Sequence, residues 1–157
     1  MMMTNEERAA YARKKCREIM TTNVKTAARS TSLKEAALMM LDGDMGAVPV
    51  VDEGKLVGIV TDRDIVVRGV ADGVGPETNL GDVMTTELFT IGPDSYVFEA
   101  VRLMGEKKVR RVPVVEPDGK LAGIIAMADV ALQSEDEQAI AETLEEISSG
   151  AGFWQNK

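Results

Sequence analysis

The chain has 157 residues, of which 45% are hydrophobic and 28% charged, enough to bury one substantial core or two small ones sharing an interface. Its net charge of −8 argues against a general binder of the nucleic acid backbone, whose affinity comes from cation contacts. There is no histidine and Cys16 is the only cysteine, which removes the usual general base, the Ser-His and Cys-His nucleophile pairs, histidine or multi-cysteine metal sites and any intrachain disulfide.

No run of about 18 apolar residues occurs, and the N-terminus is charged where a secretory signal is hydrophobic. A cytoplasmic protein with no membrane segment is expected. Aromatics are scarce and methionines number ten, so the core should be aliphatic and adaptable.

In chain order, Thr4-x-x-Glu7 predicts the cap of a charged N-terminal helix occupying residues 1–18 and reaching about Ile19. Ser32-x-x-Glu35 is a capping box that opens a helix with Leu33, Ala36, Ala37, Met40 and Leu41 on one face. Two apolar runs follow, Ala47–Val51 and Leu56–Thr61, around a turn at Glu53-Gly54, and read as adjacent strands. A second helix is predicted from about Asp62 to Val70.

The Gly-rich stretch Gly69–Asp82 then connects to a second set of the same signals. There a helix is expected from Asp94 or Ser95, burying Val97, Ala100, Val101 and Met104. Strands Val112–Val115 and Leu121–Ala126 flank Asp118-Gly119, a hairpin dipeptide when both residues take positive φ. A helix from about Met127 to Gln133 closes the set. Pro49 and Pro113 cannot donate to a sheet ladder, which predicts positions at strand edges or beginnings. Ser134-x-x-Glu137 opens an acidic C-terminal helix with Ile140, Leu144 and Ile147, followed by Phe153 and Trp154.

The two sets are copies. Ile19–Ile65 lies over Val83–Val130 with one residue inserted near Asp118, so that MTT falls on MTT, VPVV on VPVV and GKLxGI on GKLxGI, with roughly one position in three identical. The organisation expected is an N-terminal helix at 1–18, repeats at 19–72 and 83–133, a linker at 73–82, and an acidic helix and tail at 134–157. Each repeat reads β-α-β-β-α, an α/β fold, and a unit of about 50 residues is marginal alone, so the repeats should pack sheet to sheet with pseudo-two-fold symmetry.

This duplicated pattern, with its MTT start, PVV strand and GIVTDRD strand-helix junction, resembles the cystathionine β-synthase (CBS) domain family, two copies of which form a Bateman module. The resemblance covers residues 16–133. The layout is similar to the small paired-CBS proteins of bacteria and archaea, including those of the hypoxic-response type. It implies a regulatory module that performs no chemistry, binds an adenosine-containing ligand, forms disc-shaped homodimers through its helices and signals to a separate effector protein.

The sharpest chemical signal is Gly58-Ile59-Val60-Thr61-Asp62-Arg63-Asp64. One carboxylate can accept hydrogen bonds from both hydroxyls of a cis-diol, which suits Asp64 to a ribose. Thr61 ends the strand, where its hydroxyl can bond ribose or phosphate and the helix start adds N–H donors. Taken alone, Thr-x-x-Asp also reads as a plain helix cap. The family resemblance implies a cleft shared by the two halves, with Asp64 facing Met84–Phe89 and the segment Val109-Arg110-Arg111-Val112-Pro113.

Arg110 and Arg111 stand where relatives place phosphate-binding cations, and Arg63 is a third candidate; each also reads as a solvated surface arginine. Ile59, Leu88, Phe89 and Val109 can form an apolar slot for a base, and adenine as that base is implied by the family. The second copy replaces the hydroxyl with Ala126, keeps Asp129, and its partner segment Met45-Gly46-Ala47-Val48-Pro49 has no cation. One competent site around Asp64 is expected, binding AMP, ADP or ATP, and a weaker one around Asp129, Ile124, Ala47 and Pro49. S-adenosylmethionine is the alternative ligand, and a ligand-independent dimerisation scaffold the alternative role. No metal and no resident cofactor are expected.

Overall fold

The computed structural model describes residues 4–6, 13–133 and 145. In chain order the elements are α1 (Cys16–Ile19), α2 (Leu33–Gly43), β1 (Ala47–Asp52), β2 (Lys55–Thr61) and the single turn α3 (Asp62–Asp64), which runs into a π-helix (Ile65–Val70). A 3-10 turn (Leu80–Asp82), α4 (Val97–Lys107), β3 (Arg111–Val115), β4 (Leu121–Ala126) and α5 (Met127–Gln133) follow. The architecture is mixed α/β with two small antiparallel sheets, β1-β2 and β3-β4.

These elements form two compact bodies. One comprises Asn23–Leu88 and Asp118–Leu121, the other the described residues up to 22, Phe89–Pro117 and those from 122 onward.

In the first body, α2 begins as its capping box predicts. Glu35 N–H donates to Ser32 Oγ over 3.1 Å and Ser32 N–H to Glu35 Oε2 over 2.8 Å. The next donors are met by the Gly-rich connection: Leu33 N–H donates to Thr78 O at 2.9 Å and Lys34 N–H to Pro76 O at 3.0 Å. That segment therefore satisfies helix amides that have no partner within α2. Leu33, Ala36 and Met40 are buried, whereas Ala37 and Leu41, expected on the same face, are exposed. A two-stranded sheet covers only the narrow i, i+3, i+7 stripe.

Glu53 and Gly54 both take positive φ, 51° and 79°, as a two-residue hairpin turn with the sheet's own twist requires. Val50 pairs with Gly58 and Val51 with Leu56, which leaves Val57 unpaired in a bulge. The helix expected over residues 62–70 is present, but beyond α3 it widens to π winding, with Ala71 N–H donating to Val66 O. Ala27, Leu33, Ala36, Met40, Val48, Val50, Val60, Leu80, Val83 and Met84 make the core.

The second body has the matching core of Cys16, Ile19, Val97, Ala100, Met104, Val112, Val114, Ile125, Met127 and Val130. Its helix α4 starts after Tyr96 and not at Asp94 or Ser95. Ser95 is held in a turn, its N–H on Gly92 O, while Glu99 Oε2 accepts from Tyr96 N–H at 2.8 Å. The same contact ends the N-terminal helix expected to reach Ile19: Lys14 O accepts from Val97 N–H and Lys15 bridges Tyr96, so the chain is extended there and α1 is one turn. Residues 7–12 of that helix, the acidic helix after Gln133, Phe153 and Trp154 lie outside the described residues.

One turn expectation is corrected. The β3-β4 hairpin is not a two-residue turn: only Gly119 takes positive φ, 91°, because the extra residue and Pro117 lengthen the loop. Pro49 and Pro113 are third in β1 and β3, each an edge strand of its two-stranded sheet, as expected. Each neighbour on that side pairs by a single bridge that uses the proline carbonyl, Ala27 N–H to Pro49 O at 2.9 Å and Ile91 N–H to Pro113 O at 3.1 Å, so the missing N–H interrupts no ladder.

The leading strand of each repeat is likewise reduced to single bridges, and it packs in the body built on the other repeat. Thr85 pairs with Ile59 of β2, and Thr21 pairs with Ile124 of β4. Glycine permits the approach: a Cβ on Gly58 would lie 3.1 Å from Thr85 O, and one on Gly123 would lie 2.5 Å from Thr21 O.

Candidate functional site

β2 ends at Thr61, still extended at φ −111° and ψ 164°, and the chain turns at once into α3. Thr61 and Asp64 cap one another. Thr61 N–H donates to Asp64 Oδ2 at 2.9 Å, and Asp64 N–H donates to Thr61 Oγ1 at 3.1 Å. The capping role that the sequence allowed is thus present, and it does not consume either group. Thr61 uses a lone pair and keeps its O–H donor, while Asp64 uses Oδ2 and leaves Oδ1 with one long contact at 3.4 Å, from Thr85 Oγ1. Both residues are half-buried, so ligand atoms can reach them.

Thr85 lies in the segment Met84–Phe89 that the family resemblance sets opposite Asp64, although the sequence gives it no role of its own. It belongs to the repeated MTT, whose recurrence was the signal available, and its hydroxyl lies 3.4 Å from both carboxylate oxygens of Asp64. Ile59, the residue it pairs with, is half-buried, as is Leu88. Arg63 is exposed on α3. Ile59, Thr61, Arg63, Asp64 and Leu88 all belong to the first body, with Ala47 half-buried and Pro49 buried in β1.

Phe89, Val109, Arg110, Arg111, Pro113, Ile124 and Asp129 belong to the second body. Phe89 is half-buried and carries the Lys107 ammonium 5.0 Å from its ring centroid. Val109 packs against the core and Pro113 is buried in β3. Arg110 and Arg111 are exposed and form no ion pair among the described residues. Arg110 O accepts from Met127 N–H at 2.9 Å, which pins its backbone to the β4-α5 junction that carries Asp129.

That junction repeats half of the first. Ala126 N–H donates to Asp129 Oδ2 at 2.9 Å, so the carboxylate is aimed by the backbone even without a hydroxyl. A cavity of 520 Å³ in this body is lined by Gly92, Asp94, Tyr96, Glu99 and Val115 among others. Its carboxylates are committed, Asp94 to Arg17 and Lys15 and Glu99 to the amide of Tyr96. Cys16 is fully buried, and burial with Glu99 nearby pushes its thiol up to about 11. Among the described residues no group of three or more Cys, Asp and Glu is placed to hold a metal, and no helix is long and apolar enough to cross a membrane.

The CBS domain model matches residues 16–69 and 80–135. CBS domain-containing protein YhcV of Bacillus subtilis is 36% identical over 132 residues, 84% of this chain and 94% of its own length. Hypoxic response protein 1 of Mycobacterium tuberculosis is 35% identical over 135 residues, 85% of this chain and 93% of its own. The crystal structure of Hypoxic Response Protein I with two coordinated zinc ions has a TM-score of 0.71 at 34% identity, covering 77% of this chain and 99% of that one.

Two liganded structures share the fold. CBSX2 in complex with AMP gives a TM-score of 0.68 at 30% identity, covering 76% of this chain and 97% of that one. The CBS domain pair of protein MJ0100, in complex with 5′-methylthioadenosine and S-adenosyl-L-methionine, gives 0.68 at 28%, covering 76% and 98%. The duplicated sequence, the duplicated junction and these likenesses agree: the chain belongs to the CBS domain family and carries the domain twice.

Proposed function

We propose that this protein is a regulatory module that binds an adenine nucleotide, AMP, ADP or ATP, at Asp64, performs no chemistry, and reports occupancy to a separate partner protein in the cytoplasm. The carrying observation is the Asp64 carboxylate, held by the Thr61 amide through Oδ2 with Oδ1 left to accept from a ribose. Thr61 keeps a hydroxyl donor beside it, and Ile59 and Leu88 belong to the same body.

Phosphate charge at the Asp64 site is assigned to Arg63 and the base to Ile59 and Leu88, all of the same body, whereas Phe89, Val109, Arg110, Arg111 and Pro113 belong to the body that carries Asp129. Arg110 and Arg111 are exposed, and neither is neutralised by a carboxylate among the described residues. A weaker site is assigned to Asp129 with Ile124, where Ala126 offers no hydroxyl; Ala47 and Pro49 belong to the other body. The AMP complex of CBSX2 favours a nucleotide, whereas the 5′-methylthioadenosine and S-adenosyl-L-methionine complex of MJ0100 supports a second reading, an adenosine ligand without phosphate.

The protein is also proposed to act as a homodimer through the aliphatic side chains of α2 and the π-helix, of which Leu41 and Val70 are 75% and 72% exposed. A thermal-shift panel of AMP, ADP, ATP, NAD and S-adenosylmethionine, joined to native mass spectrometry, tests both proposals. An adenine nucleotide should raise the melting point, whereas a flat response to the whole panel leaves only the dimerisation scaffold.

A further inference from the structure

We infer that Thr85 is a positioning residue for the Asp64 carboxylate, that Arg68 holds Thr85 in place, and that this clamp lets the site distinguish a ribose from a 2′-deoxyribose. The inference rests on the nucleotide-binding proposal above.

A carboxylate that accepts from one donor can still rotate about its terminal torsion, and a single oxygen so held reads one hydroxyl poorly. Asp64 is held from two directions. The Thr61 amide approaches Oδ2 at 2.9 Å, and the Thr85 hydroxyl lies 3.4 Å from both oxygens. Rotation of the carboxylate breaks one of these contacts. A vicinal diol gains most from such fixation, because both of its hydroxyls must find acceptor lone pairs at once.

Thr85 is itself fixed. Its backbone pairs in both senses with Ile59, Thr85 N–H to Ile59 O at 2.8 Å and Ile59 N–H to Thr85 O at 3.0 Å. Arg68, on the π-helix that continues from Asp64, extends Nη1 to Met84 O at 3.3 Å and to Val83 O at 3.4 Å. The contacts close a ring: Asp64 leads through the helix to Arg68, Arg68 to the carbonyls before Thr85, and Thr85 back to Asp64. Gly58 completes it, since any side chain there meets Met84 and Thr85.

Among the described residues the other repeat shows no such clamp. Thr21 pairs with Ile124 as Thr85 does with Ile59, but makes no hydrogen bond to Asp129 among the described residues. The residue matching Arg68 in the repeat is Gln133, and α5 is wound as an ordinary α-helix. Among the described residues Asp129 shows its backbone bond and no second one, a distinction separate from the Thr61 to Ala126 replacement.

The test is isothermal titration of the full chain with AMP and 2′-deoxy-AMP. Wild type should prefer AMP by about tenfold, the value of one charge-assisted hydrogen bond. Thr85→Val should weaken AMP by about tenfold and bring the two nucleotides within about twofold of each other, and Thr85→Ser should restore the preference. Arg68→Met, which keeps an aliphatic stem at an exposed position, should shrink the preference part of the way and serves as the deciding variant if Thr85→Val does not fold. An unchanged preference in Thr85→Val, or in Arg68→Met as the deciding variant, overturns the inference. A wild type that binds neither nucleotide overturns the nucleotide-binding proposal itself, and the clamp with it.

Discussion

Ala126 donates its amide N–H to the carboxylate of Asp129 over 2.9 Å, the bond that Thr61 gives Asp64 in the other repeat. A backbone amide therefore bonds each carboxylate in the same way. What separates the two sites is what else surrounds them: a hydroxyl at Thr61 that Ala126 lacks, and the contact from Thr85.

The matching variants Asp64→Ala and Asp129→Ala should consequently diverge in binding and not in stability. Each removes one capping carboxylate and should cost about 1 kcal/mol, read by urea denaturation. A nucleotide at 100 times its dissociation constant stabilises its site by about 2.7 kcal/mol, and that gain should vanish in Asp64→Ala and persist in Asp129→Ala. Equal loss in both variants contradicts a single competent site.

The two glycines that admit the Met-Thr segments should be unequal. A Cβ at Gly58 meets the end of the flexible Met84 side chain at 2.5 Å and Thr85 O at 3.1 Å, whereas at Gly123 it meets the carbonyl of Thr21 at 2.5 Å. A thioether can swing aside and a paired carbonyl cannot. Gly123→Ala should destabilise toward the upper end of the about 1–3 kcal/mol typical of overpacking, and Gly58→Ala toward the lower. Chemical denaturation of the two variants checks the order, and the reverse order refutes it.

Cys16 supplies a pH-dependent term. Its thiol is raised from the ordinary 9.0 to about 11 chiefly by burial, then by Glu99. The folded state holds the proton more tightly, so this contribution is complete below pH 9 and is lost as pH rises through about 11, where the unfolded chain gains by ionising. Stability measured from pH 8 to 11 should fall more steeply for wild type than for Cys16→Ala. A thiol reagent at pH 8 should label Cys16 only after denaturant is added, and prompt labelling of the native protein counts against the burial.

Much of this was legible in the sequence, because it rests on local chemistry. Ser32-x-x-Glu35 dictates the start of α2, the apolar run Ala47–Val51 dictates β1, and Thr61-x-x-Asp64 announces a polar turn whether read as cap or site. What escaped was non-local. Nothing in the MTT motif says that Thr85 crosses β2 of one repeat and Thr21 crosses β4 of the other, since a strand reduced to a single bridge has no hydrophobic alternation to betray its partner. The same blindness explains α1: Lys14 and Lys15 lie in a helix-compatible stretch, yet their backbone pairs with Tyr96 and Val97. Leu41 misled in the opposite sense, having the period of a core position with no sheet wide enough to cover it.

Leu41 is not the one uncovered aliphatic side chain on this side of the first body. Leu38, Leu41, Val66, Val67 and Val70 are 47%, 75%, 59%, 48% and 72% exposed on α2 and the adjoining π-helix, more aliphatic surface than a single exposed leucine represents. Homodimerisation would bury it, and a charge introduced there has no partner to neutralise it at an apolar interface. Leu41→Lys and Val70→Lys should each shift the protein from dimer to monomer in light scattering coupled to size exclusion. Both side chains already face solvent, so the far-UV circular dichroism should be that of wild type. A wild type that is monomeric at micromolar concentration, or variants that remain dimeric, would show that these residues are not the dimer contact.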